Sequence, residues 1–546
     1  MSVITNPILA GMHPDPSWIW DETHGEAVLV NSSFELTPGL PIHASHDLAH
    51  WTHVADAVCE DMAKCLFLDA VADSGGLYAP TLRRIRGKYV IACTTTRIDG
   101  DMALATGHTQ AELDAMSAAG GNFIITSHSL EGPWEGPYWV TDAQGIDPDV
   151  FVDRDGTVFW TQTRPAVVPQ WDGQTEVWTQ PIDPETWKLT TWPDGTYGRM
   201  MLWRGYGLDA VWAEGPHLYR GEASDGDYVY LMTAEGGTEI NHSEMIMRAY
   251  APDGFAAAVT RFSAEHPIAG PQPGERSVIG ASSDAKTRLF QSCKRNPILS
   301  HRQLGAAYPV QCVGHADLMH HPEFGWWLTC LGVRESAGER VSYLGRETFV
   351  APVIWEDGWP VIAPGLGRLP MRIGEGAAAD RAETVRVIRV DDPELLHVRC
   401  DGSRPCIRVD RLDFTVIAPV GSGLFLRQDD VHGVDVAVDA DGFVSVGRRN
   451  GSLAAETVAG AGAVASDGCA LGLRLHDDRV TVFTCLLPPA LQGDSPDSPA
   501  LMALPVAPPA DASILVDMPA AFLSTERAGG FVGCLVGVGA TDIGRG

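Results

Sequence analysis

The sequence predicts an all-β protein, and three observations support this fold class. Turn-forming residues are dense, with 58 glycines and 37 prolines in 546 residues. Short alternating runs such as KYVIACT, TVFWTQT and YVYLMT follow these turns up to about residue 362. One small sequence pattern also recurs five times within the same stretch.

The repeated pattern is a polar residue, about eleven residues of strand-like sequence, and a Gly/Asp turn that leads into an alternating run. Its five copies place Asp15, Tyr78, Asp147, Glu214 and His315 at the same point, and the Glu214 copy is about four residues longer. Repeats of one β-meander are typical of propeller blades. We therefore predict a five-bladed β-propeller over residues 1–362. Because the innermost strands of a propeller converge on its axis, these side chains should line one central pocket.

The rest of the chain has a different texture. The clearest helix candidate, TQAELDAMSAAG at 109–120, has Thr109 as N-cap and a glycine stop, and it is predicted to be a surface insertion between blades. Residues 363–384 are rich in Gly, Ala and charge and are predicted to form a linker. Residues 385–546 contain amphipathic strands such as VDVAVDADGFVSVG, which are typical of a β-sandwich.

Composition narrows the function classes. The net charge of −31, from 70 acidic and 39 basic residues, disfavours nucleic acid and anionic membranes as partners and suits a neutral substrate. The amino terminus shows no signal peptide, and no apolar run reaches the roughly 20 residues of a membrane span. Eleven scattered cysteines are interpreted as reduced thiols. A cytoplasmic location is therefore expected.

Three carboxylates carry the predicted chemistry. Asp15 lies in HPDPS, where flanking prolines stiffen the backbone, so it is a candidate general base or a turn-capping Asp. Glu214 lies in AEGPH, between VWA and Gly-Pro, and its partial burial would raise its pKa as a general acid requires. Asp147, in GIDPD, would raise that pKa further by like-charge repulsion.

Four other residues are candidates for binding, each with a structural alternative. His315, in GHADL, could bind substrate or lie beside a metal, although a lone histidine is more often a core residue. Arg334 follows the strand of the fifth repeat and could hold a substrate hydroxyl or lie on the surface. Phe34 and Tyr78 are candidates for stacking on a sugar face, and ordinary blade packing is the alternative.

Taken together, these motifs resemble glycoside hydrolase family 43, specifically its β-xylosidase-like members with a C-terminal sandwich. The resemblance covers nearly the whole chain. Its matching stretches, in order, are NPILAGMHPDPS, NSSFELTPGLPIHASHDLAHW, DSGGLYAPTL, GIDPDVFVDRDG, AEGPHLYR, TAEGGT, NPILSHR, GHADL, LGRETFVAPVIWEDGWPV and, less closely, FLSTERAGGFVG. The resemblance implies a five-bladed β-propeller followed by a concanavalin-like β-sandwich.

The resemblance also implies an inverting hydrolysis of short oligosaccharides. It assigns the base to Asp15, the acid to Glu214 and the tuning carboxylate to Asp147. The pocket residues it assigns are Phe34, His315 and Arg334. Some relatives hold a calcium ion on the propeller axis near that histidine, so a structural calcium beside His315 is left open and no other cofactor is expected. Relatives are commonly dimers or tetramers, which leaves a homo-oligomer open.

The predicted activity is exo-acting release of xylose from β-1,4-xylo-oligosaccharides, with two alternatives. Tyr78 replaces the tryptophan of the family motif, which keeps an α-L-arabinofuranosidase open. From a different class, the chain could be a catalytically inactive carbohydrate-binding propeller, although all three carboxylates are present. In relatives the sandwich can supply an aromatic residue that closes the pocket. The sequence near Arg527 and Ala528 does not identify this residue.

Overall fold

Strands dominate the structure, a computed structural model of the chain, in agreement with the all-β prediction. It describes residues 2–205, 212–221, 226–279, 288–305, 308–375, 385–389, 392, 395–398, 405–439, 441–464, 468–492, 500–504 and 507–539.

Five sheets of mainly antiparallel strands follow one another along the first part of the chain. Blade 1 contains Ser17–Asp21, Glu26–Val30, Gly39–Ser45 and Thr52–Val58, and blade 2 contains Val71–Ile85, Lys88–Ile98, Asn122–Ser127 and Glu135–Trp139. Blade 3 contains Ile146–Val152, Val158–Pro165, Thr175–Asp183 and Met200–Trp203, with the short strands Lys188–Leu189, Ile268–Ala269 and Arg276–Ser277. Blade 4 contains Ala213–Arg220, Tyr228–Glu235, Ser243–Tyr250, Gln291–Ser292 and Leu299–Ser300. Blade 5 contains Val310–His321, Gly325–Arg334, Arg346–Glu356 and Trp359–Ile362.

Apolar side chains pack between each blade and the next. Separate clusters join blades 1 and 2, 2 and 3, 3 and 4, and 4 and 5. A further cluster packs Trp18 and Leu29 of blade 1 against Trp327 and Val350 of blade 5, which closes the ring. The predicted five-bladed β-propeller is therefore confirmed.

The inner strand of every blade has the same irregularity at one end. Residues with a left-handed backbone stand there at equivalent positions: Asp15 (φ 48°), Ala79 (31°), Asp147 (56°), Gly215 (51°) and His315 (51°). In blades 2 to 5 the register of the inner strand shifts at this point, as at a β-bulge. The sequence repeats placed Tyr78 and Glu214 at this position, but each lies one residue before it. A sequence repeat does not show where a bulge inserts its extra residue.

Helices are few among the described residues. Their bounds are Glu60–Cys65, Gly100–Ala105, Gln110–Ala118, Phe255–Glu265 and Thr525–Ala528, and short 3₁₀ turns lie at Leu68–Ala70, Val420–Ser422, Pro489–Leu491 and Ala521–Leu523. The helix predicted after Thr109 is confirmed. The Thr109 hydroxyl accepts from the Glu112 N–H, and the Glu112 carboxylate accepts from the Thr109 N–H. None of the helices that the structure describes has the length and apolarity needed to cross a membrane.

The second part of the chain forms two facing sheets. One sheet contains Arg386–Ile388, Phe414–Pro419, Cys469–His476, Arg479–Leu486, Leu501–Leu504 and Ser513–Pro519. The other contains Leu396–Val398, Pro405–Arg408, Leu424–Arg427, His432–Val438, Phe443–Asn450, Glu456–Val464 and Leu535–Gly537, and the propeller strand Leu36–Thr37 extends it. Buried side chains such as Val416, Leu473, Leu426 and Val434 fill the space between them. This is the β-sandwich that the sequence predicts.

The two parts of the chain meet through backbone pairing as well as packing. Leu36–Thr37 lies in the loop that carries Phe34 and pairs with Leu396–Val398 of the sandwich. Within the predicted linker, Arg372–Ile373 pairs with Ile4–Thr5 near the amino terminus. Residues 376–384 of that linker lie outside the described residues, and the domain limits at 362 and 385 stay predictions.

Candidate active site

A cavity of about 260 Å³ opens where the inner strands converge. The residues that line it are Asp15, Phe34, Tyr78, Ala79, Ile146, Asp147, Trp212, Glu214, Thr238, His242, His315, Arg346 and Phe531. All of the residues that the sequence analysis selected lie in this lining except Arg334. The cavity therefore combines three carboxylates with Phe34, Tyr78 and Trp212 of the propeller and one aromatic residue of the sandwich.

Asp15 is buried and surrounded by groups that favour its charged form. The Ser32 hydroxyl donates to its Oδ2 at 2.7 Å, and Arg346 Nη1 lies 3.3 Å from its Oδ1. His315 Nδ1 lies 3.8 Å from the same oxygen. Burial by itself raises the pKa of the Asp15 carboxyl, but Arg346, His315 and the Ser32 hydrogen bond lower it below its usual range. Asp15 is thus an ionised carboxylate at neutral pH.

Glu214 has the opposite environment. Burial, followed by the like charge of Asp147, raises the pKa of Glu214 to about 8, although Arg346 lowers it. Burial also raises the pKa of Asp147, which accepts a hydrogen bond at its Oδ2 from the Gly215 N–H at 3.0 Å. This bond connects Asp147 to the residue after Glu214. Gly215 has φ 51°, and a Cβ there would come within 3.0 Å of the His315 ring, so glycine is required.

The two environments divide the carboxyl groups into different chemical roles. A carboxylate with a lowered pKa can accept a proton at neutral pH, whereas a carboxyl group with a raised pKa can donate one. The pocket therefore offers one proton acceptor in Asp15 and one proton donor in Glu214. Left-handed backbone at Asp15, Asp147 and His315 is the kind of local strain that clusters at functional sites.

Three aromatic rings form one wall of the pocket. The Phe34 and Tyr78 centroids are 5.0 Å apart, and Phe531 of the sandwich stacks on Phe34 with centroids 6.0 Å apart and an interplanar angle of 22°. The Phe531 N–H donates to Ser74 Oγ at 2.9 Å, and the Tyr78 hydroxyl donates to the Ser74 carbonyl at 2.5 Å. Phe531 is the aromatic residue that the sandwich contributes to the pocket lining, and the sequence analysis did not select it. It lies in the FVG that ends the matching stretch FLSTERAGGFVG, after Arg527 and Ala528.

Arg334 is not placed where the resemblance implied. Its Nε and Nη2 bind both oxygens of the buried Glu347 carboxylate at 2.6 and 2.7 Å, outside the pocket lining. Arg346 lines the pocket instead, with its guanidinium carbon 5.5 Å from the Phe34 ring centroid and 5.3 Å from that of Phe531. Strand pairing places Arg346 opposite Val333, one residue before Arg334. In this register Arg346, and not Arg334, lines the pocket. The stretch LGRETF contains Arg346 and was the available signal.

Other lining residues carried no distinctive sequence signal. Trp212 lies two residues before Glu214 and is 40% exposed, which leaves an indole face at the pocket. Burial lowers the pKa of His242 to about 4, so its ring is neutral, and its Nδ1 lies 2.9 Å from the Cys312 carbonyl oxygen. Neither residue belongs to the repeated pattern, and only the folded chain brings both to the axis.

The residues around His315 do not fit a calcium site. Calcium takes roughly six to eight oxygen ligands, whereas the carboxylates whose pKa His315 lowers are those of Asp15, at 3.8 Å, and Asp147. Across the described part of the chain, the one trio of side chains with ligand atoms within 4.8 Å of one another is Asp21, His24 and Glu26. Asp21 there already binds Arg84 Nη1 at 2.6 Å. No catalytic step is therefore assigned to a metal.

Curated proteins are similar in sequence to about two thirds of this chain. A xylosidase/arabinosidase of Butyrivibrio fibrisolvens is 35% identical over 372 residues, which are 68% of this chain and 58% of that protein. A non-reducing end α-L-arabinofuranosidase of Bacteroides ovatus is 33% identical over 359 residues, 65% of this chain and 53% of that protein. The chain thus matches little more than half the length of these relatives.

Solved structures share the fold over the whole chain. The family 43 protein BlXynB of Bacillus licheniformis has a TM-score of 0.70 at 21% identity, covering 100% of this chain and 97% of that one. A xylan β-1,4-xylosidase of Bacillus halodurans also has a TM-score of 0.70, at 20% identity, covering 99% and 97%. The sequence profile of glycosyl hydrolases family 43 matches residues 4–360, which include every propeller residue of the pocket. The chain belongs to glycosyl hydrolase family 43.

Proposed function

We propose that this protein is an exo-acting, inverting glycoside hydrolase that releases terminal xylose from short β-1,4-xylo-oligosaccharides. Asp15 is the general base that deprotonates a water on one face of the terminal sugar. Glu214 is the general acid that protonates the leaving oxygen on the other face, and Asp147 tunes and orients Glu214. An inverting reaction needs space for the water, so the Asp15 and Glu214 carboxyl groups should be about 6.5–9.5 Å apart.

The opposite pKa shifts of Asp15 and Glu214 within one pocket carry this proposal. Arg346, His315 and Ser32 lower the pKa of Asp15 despite its burial, whereas burial and Asp147 raise that of Glu214. Two carboxyl groups whose environments separate their pKa values are the arrangement that acid–base glycosidases require. A binding protein without turnover has no need of this difference.

The dimensions of the pocket support exo action. Its volume of about 260 Å³ lies below the roughly 300–1,000 Å³ of pockets that enclose drug-sized ligands, and it suits one sugar ring. Phe531 of the sandwich packs on Phe34 and Tyr78 and limits the pocket on that side. An oligosaccharide that continued past this wall would meet these aromatic side chains.

An α-L-arabinofuranosidase is the second candidate function, and the names of two relatives support it. One 35% identical relative is called a xylosidase/arabinosidase, and one 33% identical relative is an arabinofuranosidase. The same three carboxylates would serve either sugar, since only the pocket walls would differ. Tyr78, whose hydroxyl is held by the Ser74 carbonyl, is a wall residue at which the two substrates could be distinguished.

Proton NMR of the purified protein with β-1,4-xylobiose tests the proposal. The xylose from the non-reducing end should be released as the α-anomer, because inversion at a β-linkage produces it, so the α-anomer should first exceed its equilibrium share and then mutarotate, while the leaving xylose carries both anomers. The matched control is Asp15→Asn, which keeps the side-chain shape but removes the base, and it should release no xylose above background. An initial excess of the β-anomer over its equilibrium share would contradict inversion.

Parallel reactions separate the alternatives. Release of arabinose from an aryl α-L-arabinofuranoside, without release of xylose from xylobiose, would support the second candidate. Binding of xylobiose without turnover of either substrate would support the inactive propeller and contradict the proposed chemistry.

A further inference from the structure

A second layer of polar side chains lies on the propeller axis, next to the pocket residues along the inner strands. Ser17, Asp149, His217 and Asp317 are each at most 4% exposed and come from blades 1, 3, 4 and 5. Arg83, on the inner strand of blade 2, lies among them. The proposed chemistry uses none of these five residues.

The guanidinium of Arg83 contacts all four of the other inner strands. Its Nη2 donates to Asp149 Oδ1 at 2.7 Å and lies 3.2 Å from His217 Nδ1. Its Nη1 lies 3.1 Å from Asp317 Oδ2 and 3.4 Å from Ser17 Oγ. The planar guanidinium presents several N–H groups in fixed directions, so one side chain can hold several partners at set distances.

Each partner of Arg83 is close in sequence to a pocket residue. The pairs are Ser17 with Asp15, Asp149 with Asp147, His217 with Glu214, and Asp317 with His315. The members of a pair are only two or three positions apart, on or just before the same inner strand. A shift of an axial partner would therefore move the pocket residue on the same strand.

The charges explain why a cation is needed on the axis. Asp149 and Asp317 are both fully buried, and a buried carboxylate without a cation is costly. Burial raises the pKa of Asp317, but Arg83 and His217 lower it to about 2, so it is ionised. Among the described residues, Arg83 is the basic side chain that forms ion pairs with both carboxylates.

We propose that Arg83 is a positioning residue of the active site. Its guanidinium acts as a cation built into the chain, which fixes the spacing of the inner strands and thereby the separation of Asp15 from Glu214. The inference rests on the proposed function, because the rate of hydrolysis is the quantity that depends on the separation of Asp15 from Glu214. In this proposal an arginine occupies the axial position where two buried carboxylates would otherwise need a metal ion to balance their charge.

The test uses Arg83→Lys and Arg83→Ala in the full-length protein, with kcat and KM for xylobiose measured per folded molecule. The lysine ammonium keeps the charge but cannot contact Asp149 and Asp317 in the same fixed geometry. A displacement of catalytic groups by about 1 Å can cost roughly a hundredfold in rate. We expect kcat of Arg83→Lys to fall by about tenfold to a hundredfold, with KM close to that of the wild type.

Chemical rescue separates positioning from a general loss of stability. The Arg83 side chain is 16% exposed, so a small solute can reach the space that this side chain leaves in Arg83→Ala. Guanidinium ion, well below denaturing concentrations, should restore part of the kcat of Arg83→Ala. Urea at the same concentration, which has a similar shape but no charge, should not restore it.

Arg84→Ala is the matched control. Arg84 is the next residue on the same strand and also binds a fully buried carboxylate, with Nη1 2.6 Å from Asp21 Oδ1, but it lies away from the axis. We expect this variant to lose stability while keeping its kcat, with no response to guanidinium.

The outcomes are distinct. If Arg83→Lys and Arg83→Ala lose activity only as their folded fraction falls, and guanidinium has no effect, the positioning role is overturned. The positioning role is also overturned if the two Arg83 variants lose stability but keep their kcat, as we expect of Arg84→Ala. Absence of turnover by the wild-type protein would overturn the proposed function and this inference together.

Discussion

Replacing Glu214 by glutamine should remove the alkaline limb of the pH profile of kcat. In the folded protein, burial and the charge of Asp147 raise the pKa of Glu214 from 4.5 to about 8. In the proposed mechanism the acid form of Glu214 is the active one, so kcat should be constant just below this value and should fall as pH rises through about 8. Asp15, whose pKa is lowered, sets the limb on the acid side.

The size of the effect follows from the pKa shift. An ordinary glutamate with pKa 4.5 would be protonated in roughly 0.3% of molecules at pH 7, whereas a pKa of about 8 gives roughly 90%, a gain of about 300-fold in the acid form. At about 1.4 kcal/mol per pKa unit, the difference between 4.5 and 8 corresponds to roughly 5 kcal/mol, an upper value because the Glu214 residue is half-buried and solvent screens part of the interaction.

The assay compares two substrates across the pH range. With xylobiose, whose leaving group needs a proton, Glu214→Gln should reduce kcat by about 10²–10⁴. With a dinitrophenyl β-xyloside, whose leaving group departs without a proton, the loss should be far smaller. Circular dichroism should show unchanged secondary structure, because glutamine has nearly the same shape as glutamate.

Two results would refute this reasoning. An alkaline limb near the wild-type position in Glu214→Gln would mean that another group titrates there. Equal losses on the two substrates would mean that Glu214 does not donate the proton to the leaving oxygen.

Three further changes test the other roles in the pocket. Asp147→Asn should move the alkaline limb to lower pH, because the charge of Asp147 raises the pKa of Glu214; an unmoved limb would contradict this. Arg346→Met should lower kcat/KM by about 10–100-fold and move the acid limb to higher pH, because Arg346 lowers the pKa of Asp15. Its control, Arg334→Met, should lower the melting temperature without changing KM, since Arg334 binds Glu347 outside the pocket. A changed KM at an unchanged melting temperature would instead place Arg334 in the site. Phe531→Ala should raise KM by about tenfold, and an unchanged KM would show that the sandwich does not bound the sugar site.

The sequence by itself determined the fold class and the three carboxylates of the pocket. Alternating runs and Gly/Asp turns are local signals, and their repetition predicts five blades, since each blade repeats the same strand–turn chemistry. Asp15 and Asp147 were found because a propeller brings the same point of every repeat to its axis, and Glu214 was found because it lies one residue before that point. The helix after Thr109 was likewise predictable, because a capping box is made by residues three apart.

Only the tertiary structure decided which long-range partners complete the site. Arg346 rather than Arg334 faces Asp15, and this choice depends on strand register, which moves a side chain to the other face with a shift of one residue. Phe531 meets Phe34 across 497 positions of sequence, and Arg83 meets Asp317 across 234. Such contacts are set by how the blades and the sandwich pack together, and no local pattern of charge or hydrophobicity records that packing.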